Sequence, residues 1–247
     1  MPARRHPAGA RARAPVVVER LEREYPDATT ELTFGSPLEL LVSVILSAQT
    51  TDERVNAVTP VLFARYRSAA DFAAATQEEL EALIRPTGFF RSKARAIREM
   101  AQDLVRLHDG EVPGRMEELV ELRGVGRKTA NVVLGVGFGV PGLAVDTHVT
   151  RVAGLLRLTS SADPAKIEED VCSIVPASEW TLLGLRLILH GRRVCIARRP
   201  RCAACVLADI CPSAFTAAPP ARGRKRGAAK RKTPARPRRR SPAQKRR

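Results

Sequence analysis

Apolar residues recur at helical spacing in one short segment after another along this chain, and nowhere do two alternating runs flank a tight turn. That pattern leaves few folds open. SPLELLVSVILSAQ (36–49) is apolar on nearly every side, as a helix buried in a core is. Thr50 and Glu53 stand at capping-box spacing before the next segment. Thr76 and Glu79 repeat the device ahead of Leu80, Leu83 and Ile84, and Pro86 ends that run. SKARAIREMAQDLVRLHDG closes on His108 and Gly110, a helix C-terminus signal. MEELVEL, RKTANVVLGVGFG and DTHVTRVAGLLRL follow, then KIEEDVCSIV behind Asp163-Pro164 and WTLLGLRLILHG behind Ser178-Glu179. These signals predict an all-α protein of about ten helices joined by short loops.

Charge separates the ends from the middle. Fourteen of the 42 Lys and Arg lie between Arg222 and Arg247 with no acid among them, and residues 1–14 hold four more. The rest carries 24 basic against 26 acidic residues, so the net +16 belongs to the termini. Mobile basic ends attract polyanions through phosphate contacts that need no particular base sequence. The C-terminal stretch has almost no large apolar side chain to bury and reads as disordered. No segment approaches the roughly 18 apolar residues of a membrane span, and the basic start lacks the apolar region of a secretory signal. A soluble cytosolic protein is expected.

Cys195, Cys202, Cys205 and Cys211 form C-x6-C-x2-C-x5-C within 17 residues. Thiols stay reduced in the cytosol, so this spacing indicates a metal site, either zinc or an iron–sulfur cluster. The departure from paired C-x2-C favours the cluster. Cys172, among Val171, Ile174 and Val175, reads as a buried, inert thiol. Arg198, Arg199 and Arg201 sit on the loop between the first two ligands, where pinned guanidiniums suit phosphate contacts.

LRGVG (122–126) lies between two short helical segments. Glycines there let the chain turn sharply and let another molecule approach, and the amides at the following helix N-terminus make an anion site. Lys128 falls in the first turn of that helix, where the dipole disfavours an ammonium ion; an amine held neutral is a nucleophile. Asp146, in GLAVDTHVTRV, has N-cap position. A carboxylate and a lysine on one pocket would make an acid–base and nucleophile pair.

Taken together, ILSAQTTDERVN, LRGVGRKTANVV, VDTHVTRV, LILHGRRVC and the cysteine cluster, in this order and spacing, resemble the endonuclease III family, iron–sulfur DNA glycosylase/AP lyases of the helix-hairpin-helix superfamily. The resemblance spans roughly residues 16–213 and implies the following. A six-helix barrel domain occupies 30–140, and an iron–sulfur helical domain combines 16–29 with 141–213. A basic arm (1–15) and a disordered Lys/Arg-rich tail (217–247) lie outside them. One [4Fe-4S] cluster is held by Cys195, Cys202, Cys205 and Cys211. A monomer in the bacterial cytoplasm, associated with the nucleoid, excises oxidised pyrimidines from duplex DNA and cleaves abasic sites. Lys128 is the nucleophile and Asp146 its partner. Arg123, Gly124, Val125, Gly126 and Arg127 of the hairpin, with His148, hold DNA, as do Arg198, Arg199 and Arg201. Gln49 fills the gap left by the flipped nucleotide, and Phe89 stands where family members carry a wedging apolar residue, often leucine. His190 is structural or phosphate-contacting rather than catalytic. The alternatives are a monofunctional adenine-mismatch glycosylase of the same superfamily and a non-enzymatic DNA-binding iron–sulfur protein. Lys128, and a chain beyond Cys211 too polar to form a recognition domain, favour the lyase.

Overall fold

The first helix starts earlier than its charge suggested. The computed structural model describes residues 6–216, and in it α1 (Ala10–Glu24) begins inside the stretch expected to be an arm. Ala10, Ala14, Val17 and Leu21 recur every three or four residues and are all buried, so one face of the segment docks while its arginines stay outside. Arg13 adds a bond, its Nε donating to the Leu156 carbonyl at 2.7 Å.

Side-chain caps set most of the other starts. Ser36 accepts from the Glu39 amide at 3.2 Å ahead of α2 (Pro37–Leu46). Thr51, not Thr50, opens α3 (Asp52–Arg65), accepting from the Arg54 amide at 3.4 Å. The expected register is one residue off because the chain leaves α2 through a left-handed turn at Gln49. Reciprocal capping boxes start α4 (Ala69–Ala74), from Ser68 and Asp71, and α5 (Gln77–Ile84), from Thr76 and Glu79. The short α4 went unread because its box closes with aspartate rather than glutamate. A 3-10 turn (Arg85–Thr87) around Pro86 follows α5. Next come α6 (Phe90–Leu107), α7 (Met116–Glu121) and α8 (Arg127–Val132), which continues into a π-helical turn at Val133–Gly137. Then α9 (Thr147–Leu155) is capped by Asp146 and α10 (Pro164–Cys172) by Asp163, while α11 (Trp180–Arg193) starts without a side-chain cap. No strand occurs among the described residues, and none of their helices is long and apolar enough to cross a membrane.

Two apolar cores organise these helices. The first draws on α2–α8, and Leu40–Leu46 of α2 are all buried in it, as an apolar helix surrounded by others must be. The second gathers α9–α11 and Leu207 around α1, which supplies Val17 and Leu21 from the opposite end of the chain. Each such side chain contributes about 1.5–3 kcal/mol through burial, which is what holds α1 so far from its sequence neighbours. Polar ties cross between the cores. Asn131 Nδ2 donates to the Leu143 carbonyl at 3.2 Å, and Arg127 forks onto Glu168 with two bonds of 2.8 Å. Residues 1–5 and 217–247, and with them the expected tail, lie outside the described residues.

Candidate active site

The glycine hairpin is clamped from below. Leu122 and Val125 are buried under α6, and Gly124 turns the chain at φ +81°. A Cβ on Gly124 would stand 3.1 Å from the Ala96 Cβ, so any side chain there would be both strained and crowded against α6. Gly126, by contrast, faces open space, where a Cβ would meet nothing within 4 Å.

The guanidiniums of the two arginines beside the glycines are each paired with a carboxylate of another helix. Arg123 forks onto the buried Asp103, Nε to Oδ2 at 2.8 Å and Nη2 to Oδ1 at 3.0 Å, and its backbone amide donates to the same carboxylate at 3.1 Å. These bonds, with a further one from Arg106, hold the Asp103 carboxyl well below the ordinary carboxylate range despite its burial. Arg127 is committed to Glu168, a pair that also holds its pKa up. The partner carboxylates lie twenty and forty-one residues away, beyond the reach of local sequence patterns.

Lys128 is the second residue of α8. It is exposed, and it is paired with no carboxylate among the described residues. Asp146 caps α9: its Oδ1 accepts from the amides of His148 at 2.7 Å and Val149 at 2.8 Å, which leaves Oδ2 without a helix bond. Lys128 and Asp146 line one cavity at the junction of the two cores, with Val44 and Ser47 from α2 and its end, and Leu185 and Ile188 from α11. Glu31, Asp52 and Arg192 complete its rim. Arg192 Nη1 donates to Glu31 at 2.6 Å and to Asp52 at 3.3 Å. None of these three was singled out from sequence. Asp52 and Arg192 belong to motifs quoted above, and position within a motif was the only signal for them.

Two residues near this face are strained. Gln49 and Phe89 adopt φ of +57° and +47°, a left-handed conformation that side chains other than glycine enter at a cost of about 1–3 kcal/mol. Both side chains are exposed, Phe89 at 69%. An exposed phenylalanine on strained backbone is held for something other than the core. His148 is half-buried, and Arg151 donates to its Nδ1 at 3.2 Å, so that nitrogen accepts rather than donates. Burial first, with Arg151 adding to it, lowers its pKa.

On the far side of the second core, Cys195, Cys202, Cys205 and Cys211 ring one cavity walled by Val152, Leu155, Leu156 and Leu207. Burial pushes the Cys195 thiol up to about 11 and raises those of Cys205 and Cys211; thiolates there call for a cationic partner such as iron. His190, buried and with its pKa pushed down to about 4, bridges Tyr25 and Cys205, at 3.2 Å from the phenol and 3.4 Å from the sulfur. It is structural. Arg198, Arg199 and Arg201 are exposed on the loop between the first two ligands. Cys172 is half-buried, its thiol pushed up to about 12 by burial.

Comparison with known proteins places this arrangement. Residues 42–177 match the HhH-GPD superfamily of base excision DNA repair proteins, and residues 195–211 match the iron–sulfur binding domain of endonuclease III. Endonuclease III of Synechocystis is 50% identical over 208 residues, 84% of this chain and 95% of that one. The chain belongs to the endonuclease III family. The Escherichia coli K12 member is 42% identical over 195 residues, covering 79% of this chain and 92% of its own. A trapped endonuclease III–DNA covalent intermediate superposes with a TM-score of 0.79 at 42% identity, over 83% of this chain and 96% of that one. A thermostable thymine-DNA glycosylase shares the fold, with a TM-score of 0.76 at 21% identity over 83% and 97% of the two chains. As a member of the endonuclease III family the chain carries a [4Fe-4S] cluster, and the ring of four cysteines is where it fits.

Proposed function

We propose that Lys128 and Asp146 are the catalytic pair of this chain. The chain is a bifunctional DNA glycosylase and AP lyase of base-excision repair, binding DNA and cleaving the strand where it removes a base. Its substrates are oxidised pyrimidines and abasic sites in duplex DNA, and the damaged nucleotide swings out of the stack to reach the cavity. The observation that carries the assignment is the shared cavity: an exposed amine from the first core and a half-tethered carboxylate from the second line one space.

The Lys128 amine attacks C1′ of the sugar as the glycosidic bond breaks and the base departs with the bonding pair. The ring opens to a Schiff base on Nζ. Loss of a C2′ proton then expels the 3′ phosphate by β-elimination, and water releases the lysine. Asp146, its Oδ1 fixed by two helix amides, presents Oδ2 to accept the lysine's proton and to stabilise positive charge developing on the sugar.

The two apolar cores support a division into domains near residues 30 and 140, with α1 in the second. DNA lies across their junction as we read it. The amides around Gly124 and Gly126 hold a phosphate, Gln49 and Phe89 enter the helix beside the flipped nucleotide, and Arg198, Arg199 and Arg201 hold phosphates further along. The protein acts as a monomer at the bacterial nucleoid. The decisive test is borohydride trapping on duplex DNA carrying thymine glycol. The parent protein forms a covalent adduct and Lys128→Ala forms none. An adduct that survives Lys128→Ala would move the nucleophile elsewhere.

A further inference from the structure

Lys93 lies in the first turn of α6, is 4% exposed, and has no carboxylate partner among the described residues. Its ammonium donates to two backbone carbonyls, Leu46 at 2.7 Å and Thr87 at 2.9 Å. Leu46 is the last residue of α2 and Thr87 the last of the 3-10 turn, so both carbonyls are ends that their own helices leave unsatisfied. A cation between two helix C-termini is electrostatically matched. The positions matter more than the pairing. Gln49 follows Leu46 by three residues and Phe89 follows Thr87 by two, and both are strained, exposed and assigned above to the DNA helix. The Lys93 backbone amide also donates to the Phe89 carbonyl at 3.1 Å. One side chain therefore staples together the two segments that carry the intruding residues.

We propose that Lys93 is a positioning residue that couples the Gln49 turn to the Phe89 turn, so that gap filling and wedging occur as one movement. Removing this ammonium leaves two carbonyl ends without their donor and so costs stability whatever else it does. Its two acceptors at the roots of two strained turns give it a further task. The inference rests on the assignment of Gln49 to duplex DNA, and the test separates the two.

Single-turnover excision of thymine glycol from duplex DNA is compared with borohydride trapping on a single-stranded abasic oligonucleotide, which has no gap to fill. Lys93→Met slows the duplex reaction by about tenfold or more, as a misplaced positioning group does, and leaves single-strand trapping unchanged within about twofold. Combined with Gln49→Ala, it slows the duplex reaction by less than the product of the two single effects, since both act through one element. Folding and cluster content are checked by melting temperature and visible absorbance. If Lys93→Met does not fold, Lys93→Gln, which keeps a donor too short to reach both carbonyls, takes its place with the same expectations. Equal slowing on both substrates, or effects that multiply, would overturn the proposal. If Gln49→Ala itself leaves the duplex reaction intact, the Gln49 assignment is what fails.

Discussion

Gly124 and Gly126 look alike in the sequence, and the structure gives them opposite tasks that alanine would separate. Gly124 sits at φ +81° with Ala96 packed where its Cβ would go. Alanine there takes a left-handed conformation at about 1–2 kcal/mol. Its methyl group, 3.1 Å from a Cβ on α6, adds overpacking of about 1 kcal/mol. Restricting the unfolded chain returns about 0.4–1 kcal/mol, which leaves a net loss of about 2 kcal/mol. For a chain of this size that lowers the melting temperature by roughly 4–8 °C. Gly126 has φ −97° and open space around its Cβ position. Alanine costs up to about 1 kcal/mol relative to glycine at an N-cap and regains about 0.4–1 kcal/mol from the unfolded chain, so its stability effect is within about 0.5 kcal/mol. A methyl group there occupies the room into which a phosphate would come. Thermal melting and binding to a duplex with an abasic analogue, measured on both variants, should cross over. Gly124→Ala melts several degrees lower, whereas Gly126→Ala melts like the parent but binds DNA about tenfold more weakly. Equal melting losses at both positions would refute the backbone reasoning, and unchanged binding by Gly126→Ala would refute the phosphate approach.

Asp146→Asn keeps an amide oxygen to cap the His148 and Val149 amides, so the melting temperature stays close to that of the parent while single-turnover excision falls by about 10²–10⁴-fold. Asp103 has a folded pKa below its ordinary 3.8, chiefly through Arg123. Its contribution is therefore complete above that value and drains away as pH falls towards the lower folded one. Melting temperature against pH should fall in acid for the parent, whereas Asp103→Asn starts lower at neutral pH and shows a shallower acid limb. Replacing Arg198, Arg199 and Arg201 together by alanine reduces the slope of log affinity against log salt by about 2–3, with the chemical step at saturating enzyme unchanged.

Much of the fold was legible because its signals are local. Thr76 with Glu79, Asp163 before Pro164 and Asp146 before His148 act over two or three residues, the reach of a short side chain to a helix amide. The cysteine spacing and the glycine hairpin are legible for the same reason: a few residues define the geometry. Local rules erred where neighbours competed, as at Thr50 and Thr51, and where a face was small, as in α1, whose buried stripe begins with two alanines among arginines.

Partnership was decided by tertiary structure alone. The pairing of Arg123 with Asp103 and of Arg127 with Glu168 joins different helices, and Lys93 carried no signal until α2 and the 3-10 turn aimed their carbonyl ends at it. The same packing puts Lys128 and Asp146 on one cavity. Which residue types stand at helix ends, hairpin and cluster is written locally, because periodicity and capping are short-range. Which long side chains stay free for DNA depends on how helices cross, and that is set only when both cores pack.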